Sequence, residues 1–348
     1  MPGFFTMKIC FDFDPILYTA GSVGEKRSIH VVHTASGDEW DFDTRTKFWG
    51  HHRHKQGGWL QEWNSAQPEH KRRLPGEFVV TDVQTPEPFS NAAHTVKRII
   101  SSVCEAAGSK SYYGYSGKGK VFREDVSSII KYKGNRENSL RPLLLDELKA
   151  YLVKHHSCEI ITGIEADDAC AIDSYTAWKK WSKTNNDGDK LILACVDKDY
   201  LQCDSHILNI AHLDKGVDSF SGFGSLVKTE KGVKGRGRMW LYYQTLYGDS
   251  SDNYFANSAS KMQWGEVRAY DLLKDAKNDR EAWQALVTGY SLLYPKPYTV
   301  EGWRGDTVEV SALQMLQENF TLARMLRWKD DFVDVEDVLR KLNVSLPK

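Results

Sequence analysis

Apolar and polar positions along this chain fall into short, distinct blocks. Ile9-Cys10-Phe11 is an apolar run closed by Asp12-Phe13-Asp14, so residues 8–20 predict a strand and its exit loop. Residues 28–42 alternate, with Ile29, Val31 and Val32 on one side of Ala35-Ser36-Gly37-Asp38 and Trp40 and Phe42 on the other. That pattern predicts a hairpin with a glycine-containing turn. Residues 48–76 are polar, aromatic and basic and predict a solvated loop. Val96, Ile99, Ile100, Val103 and Cys104 share one stripe, which predicts a helix from Ser90 to Ala107. Tyr112 to Tyr115 predicts a second strand, followed by a basic, glycine-punctuated loop from Gly117 to Arg123. Helices follow over Leu143 to Lys154 and over residues 165–183, the latter beginning in an acidic run. Leu191-Ile192-Leu193-Ala194-Cys195 is continuous and apolar, as a strand covered on both faces should be. Ile207-Leu208-Asn209-Ile210 predicts another short strand. Residues 226–240 carry Lys228, Lys231, Lys234, Arg236 and Arg238 between glycines, as a hairpin or loop would, and the pattern is helical from Trp240 onward.

Strands alternating with helices predict an α/β fold. Its central sheet is mostly parallel with helices on both faces, and a helical C-terminal region packs against it. The 348 residues carry a net charge of −1, so no global basic surface advertises a polyanionic partner. Any such surface must be a local patch balanced by acid elsewhere. The 11 Trp and 16 Tyr are read mainly as core. The six cysteines are scattered without metal-ligand spacing, which fits a reducing compartment. No signal segment and no membrane-length apolar run is present, so the expected location is the cytoplasm. The basic run His51-His52-Arg53-His54-Lys55 follows no known ligand spacing and is read as a solvated loop.

The acids carry the chemistry. Asp12 closes the first apolar run, with Asp14 two residues on. Glu165, Asp167 and Asp168 open a helix. Asp197 and Asp199 follow the strand at 191–196, and Asp249 and Asp252 stand in Gly248-Asp249-Ser250-Ser251-Asp252-Asn253. Ligands of α/β sheets bind in the crevice at the carboxyl ends of the strands. Carboxylates gathered there repel one another unless a cation neutralises them. Mg²⁺ prefers oxygen ligands and commonly accompanies phosphate substrates, and two such ions roughly 4 Å apart suit phosphodiester hydrolysis.

Taken in order, these motifs resemble the flap endonuclease / 5′-3′ exonuclease family, and within it bacteriophage-encoded members. The resemblance covers roughly residues 7–20 and 90–255. It rests on Asp12, on Tyr132-Lys133-Gly134-Asn135-Arg136, on Glu165-Ala166-Asp167-Asp168, on Asp197 and Asp199, and on Gly248 to Asn253. The stretch Gly117 to Arg123 resembles the phage versions. The resemblance implies a PIN-like nuclease core over 1–215, with an atypical insert at about 21–89 and a basic arch-like segment at about 117–155. It implies a mostly helical DNA-binding region over 216–348. Asp12, Glu165, Asp167, Asp168, Asp197, Asp199, Asp249 and Asp252 would hold two Mg²⁺ ions, with Mn²⁺ able to substitute. Lys133 and Arg136 would be catalytic, orienting the scissile phosphate, and Arg123, Lys131 and Tyr132 would bind substrate.

Two departures stand out. The second strand ends in Tyr115-Ser116-Gly117, where the family pattern has an acid. One metal should therefore bind more weakly, and Ser116→Asp should lower the Mg²⁺ requirement. The segment after Asn253, Tyr254 to Lys261, lacks the glycines of a helix-hairpin-helix loop. The expected activity is metal-dependent 5′-3′ exonuclease or flap endonuclease cleavage in replication or repair. Its substrates would be branched, nicked or 5′-ended duplex DNA or RNA–DNA hybrid, with a replication polymerase as partner, no membrane, and a host cell's cytoplasm as the setting if a phage encodes it. The alternatives are a weakly active or inactive DNA-structure-binding protein on the same fold, and a PIN-like ribonuclease.

Overall fold

A computed structural model describes residues 7–51 and 56–347. His52, Arg53, His54 and Lys55 of the basic run lie outside the described residues. The chain divides into two compact units, one of Met1–Ile16, Arg98–Leu140 and Tyr151–Lys348, the other of Leu17–Lys97 and Arg141–Ala150.

The larger unit is built on a six-stranded sheet. Its strands are β1 (Lys8–Asp12), β2 (Ser111–Val121), β3 (Cys158–Gly163), β4 (Leu191–Cys195), β5 (Ser205–Asn209) and β6 (Val217–Phe220). Their spatial order is β3-β2-β1-β4-β5-β6. All neighbours run parallel except the β5–β6 pair. The fold is thus α/β with a mostly parallel sheet. β1 and β4 lie at its centre, and Ile9, Cys10, Phe11 and all of Leu191–Cys195 are buried. That burial is why both read as unbroken apolar runs. Phe11 pairs in register with Gly114 on one side and Ala194 on the other. A Cβ at Gly114 would lie 2.2 Å from the Phe11 carbonyl oxygen. The chain fills one side of β1 with β2 and β3, then crosses to β4. The carboxyl ends of β1 and β4 therefore flank the switch point where such sheets bind ligands.

Several elements differ from expectation. Asp14–Val23, expected as a loop, is a helix, here α1. Pro15 sits in its first turn, where a missing N–H costs nothing, so it does not stop the helix. β2 runs on through Gly117 to Val121, and Phe122–Val126 is a short helix rather than loop. β3 and β6 were not expected. The C-terminal region holds helices Glu266–Leu273, Asp279–Leu293, Ala312–Ala323 and Val335–Lys341, but also an antiparallel hairpin of Tyr298–Glu301 with Thr307–Val310. The helix α2 (Ala166–Thr184) and the hairpin Ser225–Thr229 with Gly232–Arg236 match their patterns. A second core surrounds α3 (Arg238–Tyr247), including Trp240, Leu246, Trp283, Leu286, Tyr290 and Phe320.

The smaller unit contains a three-stranded antiparallel sheet, Glu39–Phe42 and Phe78–Pro86 flanking Glu25–His33. Helices Arg45–Trp49 and Trp59–Ser65 stand where a solvated loop was expected. Ile29, Val31, Phe48, Leu60 and Phe78 form its core. Among the described residues no helix is long and apolar enough to cross a membrane, and all six cysteines are free thiols.

His206 of β5 packs against the rings of Trp178 and Trp181, 4.7 and 4.4 Å away, with Nδ1 2.7 Å from the Ser219 hydroxyl. Burial, then the nearby Lys190 charge, pushes its imidazole from 6.5 down to about 4. An unfolded chain would take up this proton first, so the stability it protects is present above about pH 6.5 and lost as pH falls toward about 4. His206→Phe keeps a ring and removes the titration. Its unfolding midpoint should fall less than wild type's between about pH 7 and pH 5. Parallel falls would show that this imidazole is not buried neutral.

Candidate active site

Four stretches of chain deliver acids to the carboxyl edge of the sheet. β1 ends on Asp12, which is 5% exposed and accepts the Tyr200 hydroxyl at 3.3 Å and the Asp14 N–H at 3.2 Å. β4 is followed by Asp197, whose Oδ1 accepts the Asp199 N–H at 2.8 Å and opens the short turn Lys198–Gln202. β3 reverses at Gly163, φ 82°, and Glu165 then caps α2. α3 ends at Gly248, φ 106°, where a Cβ would lie 2.3 Å from the Tyr254 carbonyl oxygen. Glycine there lets Gly248–Asp249 pair back on Tyr254–Phe255, which folds Asp249 to Asp252 into a tight turn.

The protonation directions show how crowded these groups are. Burial, then the Asp14 charge, raises the Asp12 carboxyl to about 8. Asp167 is driven well up by burial and by Glu165 and Asp168, and its Oδ1 is buried without a hydrogen-bond partner. Asp199 is driven up by burial and by Asp197, Asp249 and Asp252. Asp252 is raised chiefly by burial, with Lys133 pulling the other way and Glu165 adding to the rise. Two acids are held below their ordinary range. Burial would raise Glu165, but Arg123 and Lys133 outweigh it. Burial would likewise raise Asp249, but the Lys198 ammonium, 2.8 Å from Oδ2, outweighs it. One oxygen each from Glu165, Asp167 and Asp168 lie within 4.8 Å of one another. Of the eight acids expected to hold metal, Glu165, Asp167 and Asp168 are the ones brought this close together; Asp12, Asp197, Asp199, Asp249 and Asp252 connect to them through mutual repulsion and the shared Tyr132 hydroxyl.

The basic residues close on these acids. Arg123, expected to meet substrate, is only 2% exposed. Nη1 and Nη2 bind the two Asp168 oxygens at 2.5 and 2.8 Å, and Nη1 also reaches Glu165 Oε2 at 3.0 Å. Its remaining donors go to the carbonyls of Leu322 at 3.1 Å and Arg324 at 2.8 Å. The Leu326 N–H adds a bond to Asp168 Oδ1 at 3.1 Å. Both Asp168 oxygens are thereby committed to the protein, a bidentate pairing that fixes the start of α2. Tyr132, also expected against substrate, is 3% exposed. Its hydroxyl lies 2.9 Å from Glu165 Oε2 and 2.7 Å from Asp252 Oδ2. One hydroxyl proton cannot serve two carboxylates fully, so this spot too is short of positive charge. Lys133 pairs with Glu165 and, at 3.6 Å, with Asp252. It does so from a left-handed backbone, φ 54°, held by its N–H bond to the Asp252 carbonyl at 2.9 Å. Arg136 binds Asp252 Oδ1 at 2.7 Å and the Ser251 carbonyl. Lys131 is half-exposed and pairs with Glu137.

The Ser116 position turns out differently from expectation. Its side chain is fully buried and its hydroxyl donates to Asp14 Oδ1 at 2.6 Å, with the Gly117 N–H 3.2 Å from Oδ2. The Asp14 carboxylate, carried by α1, already stands beside Ser116 and Gly117, in the middle of β2 rather than at its end. Other site residues escaped the sequence reading. Gln244 is buried on α3, and its Nε2 donates to Asp199 Oδ1 at 2.5 Å. Its place one helical turn before Gly248 was the only signal available. Tyr200 and Lys198 sit inside the acidic stretch itself.

The donor set fits a hard divalent cation. Buried, mutually repelling carboxylates and the partnerless Asp167 oxygen are what such an ion neutralises.

No protein-family model matches this chain, and no curated protein matches it by sequence. Among solved structures it is similar to a bacteriophage T5 flap endonuclease, a pseudo-enzyme variant in a product complex with DNA and metal ions. Identity is 18%, the match covers 72% of this chain and 91% of that one, and the TM-score is 0.40. A likeness of that size says nothing of activity.

Two substitutions probe this charge balance without any assay of function. Asp167→Asn removes a repelled charge, so the unfolding midpoint in EDTA should rise by roughly 2 °C or more. Ser116→Asp sets a second carboxylate against Asp14 in a buried place, and the midpoint should fall by roughly 4 °C or more. Opposite shifts would show that the acids are not crowded as described.

Proposed function

We propose that this protein is a divalent-metal-dependent nuclease that hydrolyses phosphodiester bonds in DNA, acting as a 5′-3′ exonuclease or flap endonuclease. The observation that carries this reading is the convergence of acids from four separate stretches at the sheet's carboxyl edge, with more negative charge than the nearby cations offset. Asp12, Glu165, Asp167, Asp197, Asp199, Asp249 and Asp252 would hold Mg²⁺ or Mn²⁺, while Asp168 fixes Arg123 and the helix start. Bound there, the ions would supply Lewis acidity toward water and the phosphate. The 5′ polarity and the flap substrate rest on the family resemblance of the motifs.

The protein's own groups then have separable tasks. Lys133 and Arg136 are the mobile-length cations nearest the acids. Both pair with acids that would hold the metal, Lys133 with Glu165 and Asp252 and Arg136 with Asp252, so both would stand beside a phosphate bound at the centre. Fixed positive charge at that point stabilises the charge that builds on the phosphate oxygens. Tyr132 keeps Glu165 and Asp252 at a fixed separation, and Asn135 ties the same loop to the Ser250 carbonyl at 2.9 Å. Arg123 acts through Asp168 and Glu165 as a positioning residue.

The test uses 5′-labelled flap, nicked, blunt and single-stranded substrates with Mg²⁺, Mn²⁺ or EDTA. Cleavage of flap or nicked DNA should require the metal. Asp167→Asn should lower the single-turnover rate by more than roughly a hundredfold, since loss of even an indirect metal partner costs up to about that. Lys133→Ala should slow single turnover more than it weakens DNA binding. Cleavage of RNA alone would favour a PIN-like ribonuclease, and metal-independent binding without cleavage a DNA-structure-binding protein.

A further inference from the structure

We infer that the loop after the helix Ala312–Ala323, together with the solvent face of α2, forms a separate binding platform for single-stranded DNA. The inference rests on the nucleic-acid reading above and extends it to a surface that no site residue occupies.

The loop is rigid by construction. Arg324 and Asp331 are 6% and 3% exposed and pair at 2.5 Å, Nη2 to Oδ2. Arg324 Nη1 also donates to the Asp331 carbonyl at 2.8 Å, and the Arg327 N–H donates to Asp331 Oδ2 at 2.9 Å. These bonds close a tight loop with Trp328 at its tip, 50% exposed. A single exposed indole means little, because large apolar side chains are common on surfaces. Its surroundings mean more. The Trp328 ring lies 6.1 Å from the Tyr175 ring of α2. Arg327 and Lys179 stand over the same Tyr175 ring at 5.7 and 5.3 Å. Lys329 follows Trp328 and is exposed. Among the described residues, none of these three cations has a carboxylate within ion-pair distance. The exposed Asp330 is the acid nearest in sequence.

An exposed indole, braced by Tyr175 and flanked by unneutralised cations, matches one chemistry in particular. A base stacks on the Trp328 ring while the cations meet the phosphates, with little dependence on sequence. Duplex DNA hides its base faces, so the expected occupant is unpaired DNA. The platform is also tied to the acidic centre through a buried contact. The Leu326 N–H of this loop bonds Asp168, and Tyr175 lies two turns along α2 from that residue, about 10 Å of helix. A strand leaving the centre could therefore be held while its junction is cut.

Fluorescence anisotropy in EDTA tests this, using a labelled blunt duplex and the same duplex with an oligo-dT extension. Wild type should bind the extended duplex more tightly. Trp328→Ala should erase that preference, a loss of roughly tenfold, with blunt-duplex affinity and unfolding midpoint unchanged. Trp328→Phe should keep most of the preference. Lys179→Ala with Arg327→Ala should reduce the salt dependence of binding the extended duplex. If wild type prefers the extension and these variants keep both the preference and the salt dependence, the platform is overturned and the nuclease reading stands. If wild type binds neither duplex at low salt, the nucleic-acid reading falls and the platform with it.

Discussion

Unbalanced negative charge at the carboxyl edge of the sheet governs this structure. Burial strips the acids of water, and each raises the cost of ionising its neighbours. Only the basic side chains that fold over them make the arrangement tolerable. Arg123 is the most deeply committed of these. It joins Asp168 and Glu165 to the carbonyls of Leu322 and Arg324, 199 and 201 residues away in sequence. The same guanidinium that neutralises the centre thus fastens the C-terminal helices to the sheet. Removing one partner of so buried a pair typically costs about 3–5 kcal/mol, because the other charge is stranded.

Lys133 has the opposite character. It is part-exposed, on a flexible stem, and held over Glu165 and Asp252 from a left-handed backbone that ordinary residues avoid. The surrounding contacts fix that backbone. Tyr132 is anchored below it, and the turn of the Tyr298–Val310 hairpin braces the preceding segment, with Trp303 Nε1 donating to the Ser127 carbonyl at 2.8 Å. Strain that persists because its surroundings impose it commonly marks a working site. Held there, the Lys133 ammonium offsets part of the charge of Glu165 and Asp252.

Parts of this were legible in the amino-acid sequence. β1 and β4 stood out because burial on both faces demands unbroken apolar runs, and the acids stood out because they follow those runs. β3 did not, since only Cys158 of Cys158–Gly163 is buried and the strand lies at the sheet edge. α1 was hidden by Pro15, which reads as a breaker but is harmless in a first turn. The hairpin at residues 298–310 was lost among helical neighbours. Within the site, residue identity was legible and orientation was not. Arg123 and Tyr132 read as exposed basic-loop residues because their partners are distant in the chain, Asp168 by 45 residues and Asp252 by 120. Asp14 could not be set beside Ser116 without knowing that α1 begins where it does.

The central claim is that this constellation binds hard divalent cations. Titrating the metal-free protein with Mn²⁺ and following the loss of the free-ion electron paramagnetic resonance signal tests it most directly. The account predicts saturable binding approaching two ions per chain, displaced by excess Mg²⁺. Free Mn²⁺ signal that rises in proportion to the metal added, as it would with no protein present, would contradict it.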